Sequence, residues 1–466
     1  MGGSHFAIFQ WLTHVQMELL LFAATFFAIG LIDEFFVDVA YVCFRLTGRI
    51  RTEVVDEDLL REHRLAGPAV LFIPAWKEQA VIGTTIAHVL GAWPQPQLRI
   101  FIGCYPNDHD TIQAVENVLD PEERVRVVIV DRPGPTTKAH CLNELYAALL
   151  EEEKASGTKA HMVILHDAED MVDPAGLAVM DRAIRKFAFV QLPVMALPSS
   201  SAPMISGHYS DEFAESHAKI MPVRDAIGSS VPGAGVGSAV SREALAQLAE
   251  LGSGKVFAED ALTEDYELGQ RITQLGGVSR FLRLRTDSGR LIATRAYFPE
   301  TWETSVRQKA RWTHGICLQS WDRLGWSGNL AQRWMTLRDR RGPFAAVLLA
   351  CAYTLVLFGL ASTAAIYLGL VPGVPLSNTT KFLIVLTALG FGWRLVMRAI
   401  FTGREYGVKQ ALLSIPRAFV SNFIAIASAS RAARAYFRTL RGEKVIWDKT
   451  EHSHHPALVM QQGATR

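Results

Sequence analysis

Residues able to move a proton and hold a phosphate cluster in the second half of this chain. Phe257-Ala258-Glu259-Asp260-Ala261-Leu262-Thr263-Glu264-Asp265 leads into Leu268, Ile272 and Leu275 at helical spacing, with a stop at Gly276-Gly277. The pattern predicts a helix with Thr263 as its N-cap and Asp265 in its first turn, where the positive helix end keeps a carboxylate ionised. Such a group, with Glu264 beside it, suits a general base that takes a proton from an alcohol. A capped surface helix carries first-turn acids equally well. Downstream, Gln308, Arg311 and Trp312 fall at i, i+3 and i+4 and put an amide, a fixed cation and an aromatic plane on one helix face. That set can hold a diphosphate and a sugar ring.

An earlier stretch, His166-Asp167-Ala168-Glu169-Asp170, packs three carboxylates into four residues. They repel one another unless a cation sits among them, and hard oxygen ligands at this spacing suit magnesium or manganese on a diphosphate. The alternative is an acidic turn in solvent. Lys138 opens a helix after a Gly-Pro turn, where it meets either phosphate oxygens or water.

The elements that must position these groups read as alternating strand and helix between residues 67 and 192. Short apolar runs at 69–73, 98–102, 125–130, 162–165 and 189–192 are separated by helical patterns at 78–90, 111–119, 138–153 and 174–186. This is the pattern of a mostly parallel sheet covered by helices on both faces, whose ligands bind at the carboxyl ends of the strands. Glu78, Asp108, Asp110, Lys138 and Asp167 all fall at such ends. From 198 to 241 the chain is rich in Gly, Ser and Pro and reads as loop.

With 466 residues, of which 49% are hydrophobic, the chain has room for a catalytic domain plus membrane helices. Its net charge of +1 conceals Arg and Lys gathered beside the apolar segments. Cys43, Cys104, Cys141, Cys317 and Cys351 are scattered, odd in number and unpaired by any CxxC, which suggests neither a disulfide framework nor a zinc site and fits a reduced compartment. The first apolar stretch has no basic n-region or cleavage site, so it reads as a retained helix. Cations after it, at Arg45, Arg49 and Arg51, place the N-terminus outside and the following domain in the cytoplasm. Two further crossings are expected at 344–370 and 382–401, and 410–428 is expected to lie in the cytoplasmic interface because cations and Pro416 interrupt it. Glu34 and Asp38 in the first span, and Arg394 and Arg398 in the third, are each spaced i, i+4 and are expected to face one another as an ion ladder. His452, His454 and His455 read as a solvated tail or a metal-binding group.

Thr263-Glu264-Asp265 followed by Gln308-Lys309-Ala310-Arg311-Trp312 resembles the TED and QxxRW signatures of family 2, cellulose-synthase-like membrane glycosyltransferases. The resemblance implies a GT-A, Rossmann-like α/β catalytic domain with about three transmembrane helices and cytoplasmic interfacial helices. It implies Asp265 as base with Glu264 beside it, and Gln308, Arg311 and Trp312 at the acceptor and diphosphate. Asp167 matches the first acid of the family's DxD metal motif, with Glu169 or Asp170 in place of the second. Glu78 stands where the PxxNE motif has its acid, with Lys77 in place of Asn. Cys104-Tyr105-Pro106 does not match the family's Asp-Asp-Gly, which leaves Asp108 or Asp110 for the nucleotide. The segment 228–237 falls where the family lines its acceptor pocket.

Val445-Ile446-Trp447-Asp448-Lys449-Thr450-Glu451-His452, with Tyr105-Pro106-Asn107-Asp108, is similar to one branch, the bacteriophage adsorption protein B type, many members of which carry a further domain linked to cyclic-di-GMP. The implied organisation is a membrane helix at 1–50, a catalytic domain at 51–300, interfacial helices at 301–343, two membrane helices at 344–403 and an interfacial helix with basic tail at 404–466. The implied activity is inverting transfer of a hexose or N-acetylhexosamine from a UDP-sugar to a growing surface glycan, at the bacterial inner membrane and with magnesium or manganese. Transfer of one sugar to a polyprenyl phosphate or other lipid is the alternative, and a catalytically decayed scaffold or phage-docking component is the rival outside enzymology. Expected partners are the donor, a glycan or lipid-linked acceptor, membrane lipids and export proteins, and no nucleic acid.

Overall fold

The computed structural model describes residues 2–118, 120–373, 375–443 and 455–458. The motif at 445–452, and with it His452 and His454, lies outside the described residues. The chain starts with α1 (Gly2–Leu46), a single helix of 45 residues. At 1.5 Å per residue it is about 68 Å long, more than twice a hydrocarbon core of about 30 Å.

Short apolar runs become one sheet: β1 (Ala69–Pro74), β2 (Leu98–Cys104), β3 (Val125–Ile129), β4 (Met162–Leu165), β5 (Phe189–Gln191), β6 (Ser238–Ser241) and β7 (Ser279–Phe281). Their order is β3-β2-β1-β4-β6-β5-β7, and every pairing is parallel except those of β6 with its two neighbours. Ala69 pairs with Leu98 on one side and Met162 on the other, so the carboxyl ends of β1 to β4 lie together. Side chains alternate across the sheet. Leu71 and Ile73 enter one core with Ile82, Ile86 and Val89 of α2 (Ile82–Ala92), whereas Val70 and Phe72 enter another with Leu142 and Leu145 of α3 (Lys138–Ser156).

The stretch 198–241 departs from expectation. Half of it is helix: α4 (Ile205–Glu215) passes through a π-helical turn, Ser216–Ile220, into Met221–Ala226, and loop flanks it on both sides before β6. No apolar periodicity announces α4, because much of what it and the turn after it bury is polar: His208, Ser210, Asp211, Glu215 and Lys219 are all less than 4% exposed, and Asp211, Glu215 and Lys219 find partners far along the chain.

After α5 (Glu264–Gln274) and α6 (Trp302–Trp312) come α7 (Leu330–Arg340), α8 (Gly342–Tyr367), α9 (Asn378–Tyr406) and α10 (Val408–Leu440). Among the described residues four helices, α1, α8, α9 and α10, are long and apolar enough to cross a membrane. The fourth is not the interrupted segment expected from Pro416, since α10 runs unbroken through it. Its polar side is seated on the sheet domain: Arg417 Nη1 bonds Asp211 at 3.1 Å, Ser421 Oγ bonds Glu212 at 2.7 Å and Ser428 Oγ bonds the Val306 carbonyl at 3.3 Å. Val408, Leu412, Ile415, Phe419 and Phe423 form an exposed apolar stripe along the helix.

The expected ion ladder forms at one rung. Glu34 Oε2 meets Arg394 Nη1 at 2.8 Å, but Asp38 binds Lys219 at 2.5 Å and Arg398 turns to Glu215 at 3.5 Å. Glu215 also takes Lys219 and Arg394, each at 2.9 Å, so α4 and the π-helical turn after it insert a carboxylate and an ammonium between α1 and α9. Arg338 and Arg341 at the α7–α8 junction close on Asp33 and Glu34.

Candidate active site

The carboxyl ends of β1 and β4 open on a cleft lined by Pro74, Lys138, His166, Gly235, Glu264 and Asp265. Thr137 caps α3 through its hydroxyl, which receives His140 N at 3.2 Å, and so aims Lys138 from the first turn. Lys138 Nζ lies 2.5 Å from Asp167 Oδ1 and 3.8 Å from Glu264 Oε1. Burial alone would lower its pKa, but Asp167, Glu264 and Asp265 together raise it, which keeps the ammonium charged.

Glu264 and Asp265 begin α5 as expected, though Thr263 does not cap it with its side chain. Thr263 is buried against Gly315, which follows α6, and its carbonyl accepts Glu267 N instead. Asp265 Oδ1 receives Tyr266 N at 2.7 Å. The glycine loop presses on the same residue: a Cβ at Gly233 would lie 2.5 Å from the Asp265 carbonyl, and one at Gly235, where φ is +80°, 2.5 Å from Asp265 Oδ2. Burial, then the Asp265 charge, pushes Glu264 up to about 7, against the pull of Lys138 and Arg311. Asp265 is likewise raised by burial and held down by Lys138 and Arg311.

Gln308, Arg311 and Trp312 lie on α6. The indole of Trp312 meets Tyr209 of α4 edge-on at 6.1 Å and Phe298 at 6.5 Å, and Gln308 Oε1 is buried without a hydrogen-bond partner among the described residues. Lys309 between them binds Glu212 at 2.6 Å, a tie that motif reading passed over.

Asp170, the alternative second acid of the expected cation site, turns inward. Its Oδ2 accepts from His166 Nδ1 and from Asp167 N, both at 2.9 Å, and it is 1% exposed, so it braces the turn from within. Glu169 remains partly exposed on that turn. Asp108 is also spent on structure: it is buried and accepts Lys77 N at 2.5 Å, which holds Lys77 at φ 55°. Glu78 is buried with its backbone N on Thr111 Oγ1 at 3.0 Å, and Asp110 is exposed in the first turn of His109–Glu116. Ion pairs bring Lys138, Asp167 and Glu264 together, whereas Asp108 holds the Lys77 backbone and Asp110 faces solvent.

Among the described residues, the three ligand-type side chains whose donor atoms lie within 4.8 Å of one another are Asp131, His140 and Glu144. His140 is saturated, bonding Asp131 at 2.8 Å and Glu259 at 3.1 Å, and so ties the loop after β3 to the loop before α5. The expected solvated tail is also overturned in part, since His455 is fully buried with Nε2 on the Asp170 carbonyl at 3.2 Å.

Residues 67–315 match the family described as Glycosyltransferase like family 2. The chain is 32% identical over 468 residues to Bacteriophage adsorption protein B of Escherichia coli K12, and equally to Bacteriophage N4 adsorption protein B of Escherichia coli O157:H7. Each alignment covers 95% of this chain and 62% of the relative, so the chain spans less than two thirds of their length. Among solved structures it is similar in fold to a Pyrobaculum calidifontis mannosyltransferase in complex with GDP-mannose and Mn2+, with a TM-score of 0.53 and 15% identity over 87% of this chain and 99% of that one.

Proposed function

Because the chain belongs to glycosyltransferase family 2 by a match over more than half its length, and is a glycosyltransferase, we propose that it is an inverting transferase moving a hexose or N-acetylhexosamine from a UDP-sugar to a growing glycan. The observation that carries this reading is one ammonium, Lys138, shared by Asp167 and Glu264 in a cleft that Asp265 also lines. In that cleft Asp265 takes the proton of the acceptor hydroxyl as its oxygen bonds the anomeric carbon. The bond from that carbon to the diphosphate breaks, and UDP leaves with the electron pair on its oxygen. Lys138 and Arg311 supply positive charge toward the diphosphate, and Trp312 with Gln308 holds the acceptor end. Asp167 and Glu169 have the hard donor chemistry for magnesium or manganese, whereas inward-turned Asp170 does not contribute. Such a cation would offset charge on the departing diphosphate.

The same reading places α1, α8 and α9 across the bacterial inner membrane, the sheet domain in the cytoplasm and the N-terminus outside. It lays α10 along the inner face, supported by the polar contacts that bind α10 to the sheet domain and by its exposed apolar stripe. The test is to offer purified protein in lipid a panel of UDP-sugars and GDP-mannose, and to read nucleotide release and product length. A ladder of sugars on release of UDP is expected. One sugar on a lipid favours the polyprenyl-phosphate alternative, GDP release overturns the donor, and no release from any donor favours the scaffold.

A further inference from the structure

The turn that carries Asp167 is held largely by its backbone carbonyls. Thr85 Oγ1 donates to Ala168, His88 Nε2 to Val172 at 3.0 Å, and Trp93 Nε1 to Asp173 at 2.9 Å, all from α2 and its C-terminal cap. Met171 and Arg295 exchange backbone hydrogen bonds at 2.9 and 3.0 Å. The Asp170 carbonyl is met from elsewhere, by His455 Nε2, 285 residues later in the chain.

His455 is built for that one contact. Ala457 N donates to its Nδ1 at 3.1 Å, so Nδ1 is the acceptor and Nε2 carries the proton that Asp170 receives. Burial, with His88 nearby, pushes its pKa down to about 4 and keeps the ring neutral. Pro456 and Ala457 are buried beside it. From His455 the linkage runs through Asp170, whose carboxylate holds both His166 and Asp167 N, to the side chain proposed to hold the cation.

We propose that residues 455–458 are a clasp on the donor turn, with His455 a positioning residue that sets the orientation of Asp167 and Glu169 and hence the affinity of the site for a divalent cation. The inference rests on reading Asp167 as a cation ligand.

The test measures Mn2+ binding to the purified full chain by electron paramagnetic resonance, without donor or turnover. Gln reproduces a donor at the ε position and Asn only at the δ position. His455→Ala and His455→Asn are therefore expected to weaken Mn2+ binding about 10-fold, the lower end of what outer-shell partners contribute, while His455→Gln stays near the parent. Unchanged Mn2+ affinity in His455→Ala overturns the clasp, as does a Gln variant as weak as the Asn variant, which would mark His455 as packing alone. If the Ala variant does not fold, the Gln and Asn pair decides. Asp167→Ala separates the two readings: parent-like Mn2+ binding there removes the cation site itself, whereas lost binding there with no effect at His455 removes only the clasp.

Discussion

Glu264 and Asp265 sit side by side in a buried site with one ammonium, Lys138, held by Glu264 and Asp167, and that arithmetic governs the chemistry. Burial first, and for Glu264 the charge of Asp265 next, holds both acids above their ordinary range. A base must be ionised to accept a proton, so turnover is expected to fall as pH drops through the raised pKa of Asp265. Glu264→Gln removes the negative neighbour, lowers the Asp265 pKa and shifts the acid limb of the pH–rate profile to lower pH; an unmoved limb would show that the two do not interact. Asp265→Asn is expected to lower turnover by about 100-fold or more, the range of a lost general base, while UDP binding measured by calorimetry stays close to the parent. A near-parental rate removes Asp265 from the mechanism.

At the level of elements, the site depends on loops pressed against helix starts. Gly235→Ala puts a methyl group 2.5 Å from Asp265 Oδ2 at a φ of +80°, at a backbone penalty of about 1–2 kcal/mol. The expected result is a drop of a few degrees in Tm and a loss of kcat far larger than that drop explains; loss of Tm alone would mean the loop does not position Asp265. How much of this was legible depends on where each residue finds its partner. The strand ends carrying Lys138 and Asp167 could be read because short apolar runs bounded by turns mark them locally. The paired acids that open α5 were legible because Leu268, Ile272 and Leu275 follow them at helical spacing. The helix α4 was not, because Asp211, Glu212, Glu215 and Lys219 are satisfied by residues of α1, α6, α9 and α10, and polar burial leaves no periodic trace. Asp170 and His455 escaped likewise: spacing marks a carboxylate or an imidazole as able to bind a cation, but only the fold shows that its hydrogen bonds are already committed.

Across the whole molecule, the sheet domain and the apolar helices are joined by charge. Lys219 is fully buried between Asp38 at 2.5 Å and Glu215 at 2.9 Å, and Glu215 passes the connection to Arg394 and Arg398. Lys219→Met removes one cation from between two buried carboxylates and is expected to cost about 3–5 kcal/mol. Thermal unfolding in detergent would read it, and a variant as heat-stable as its parent would show that the network is dispensable. Glu34, expected to face the arginines of α9, binds Arg394 and is also shared with Arg338 and Arg341, so α1, α9 and the α7–α8 junction meet at one charged node.

One consequence follows from the two-sided helix α10, whose polar side holds α4 and α6 while Val408, Leu412, Ile415, Phe419 and Phe423 stand exposed. If that stripe rests on acyl chains, the floor beneath Trp312 is fluid, and its height follows the thickness of the leaflet. Nanodiscs of short- and long-chain lipids should then change the acceptor KM and leave the UDP affinity alone, so that the bilayer itself acts as an adjustable wall of the sugar-binding site. Equal KM values in both would mean that α6 is rigid without the lipid under it.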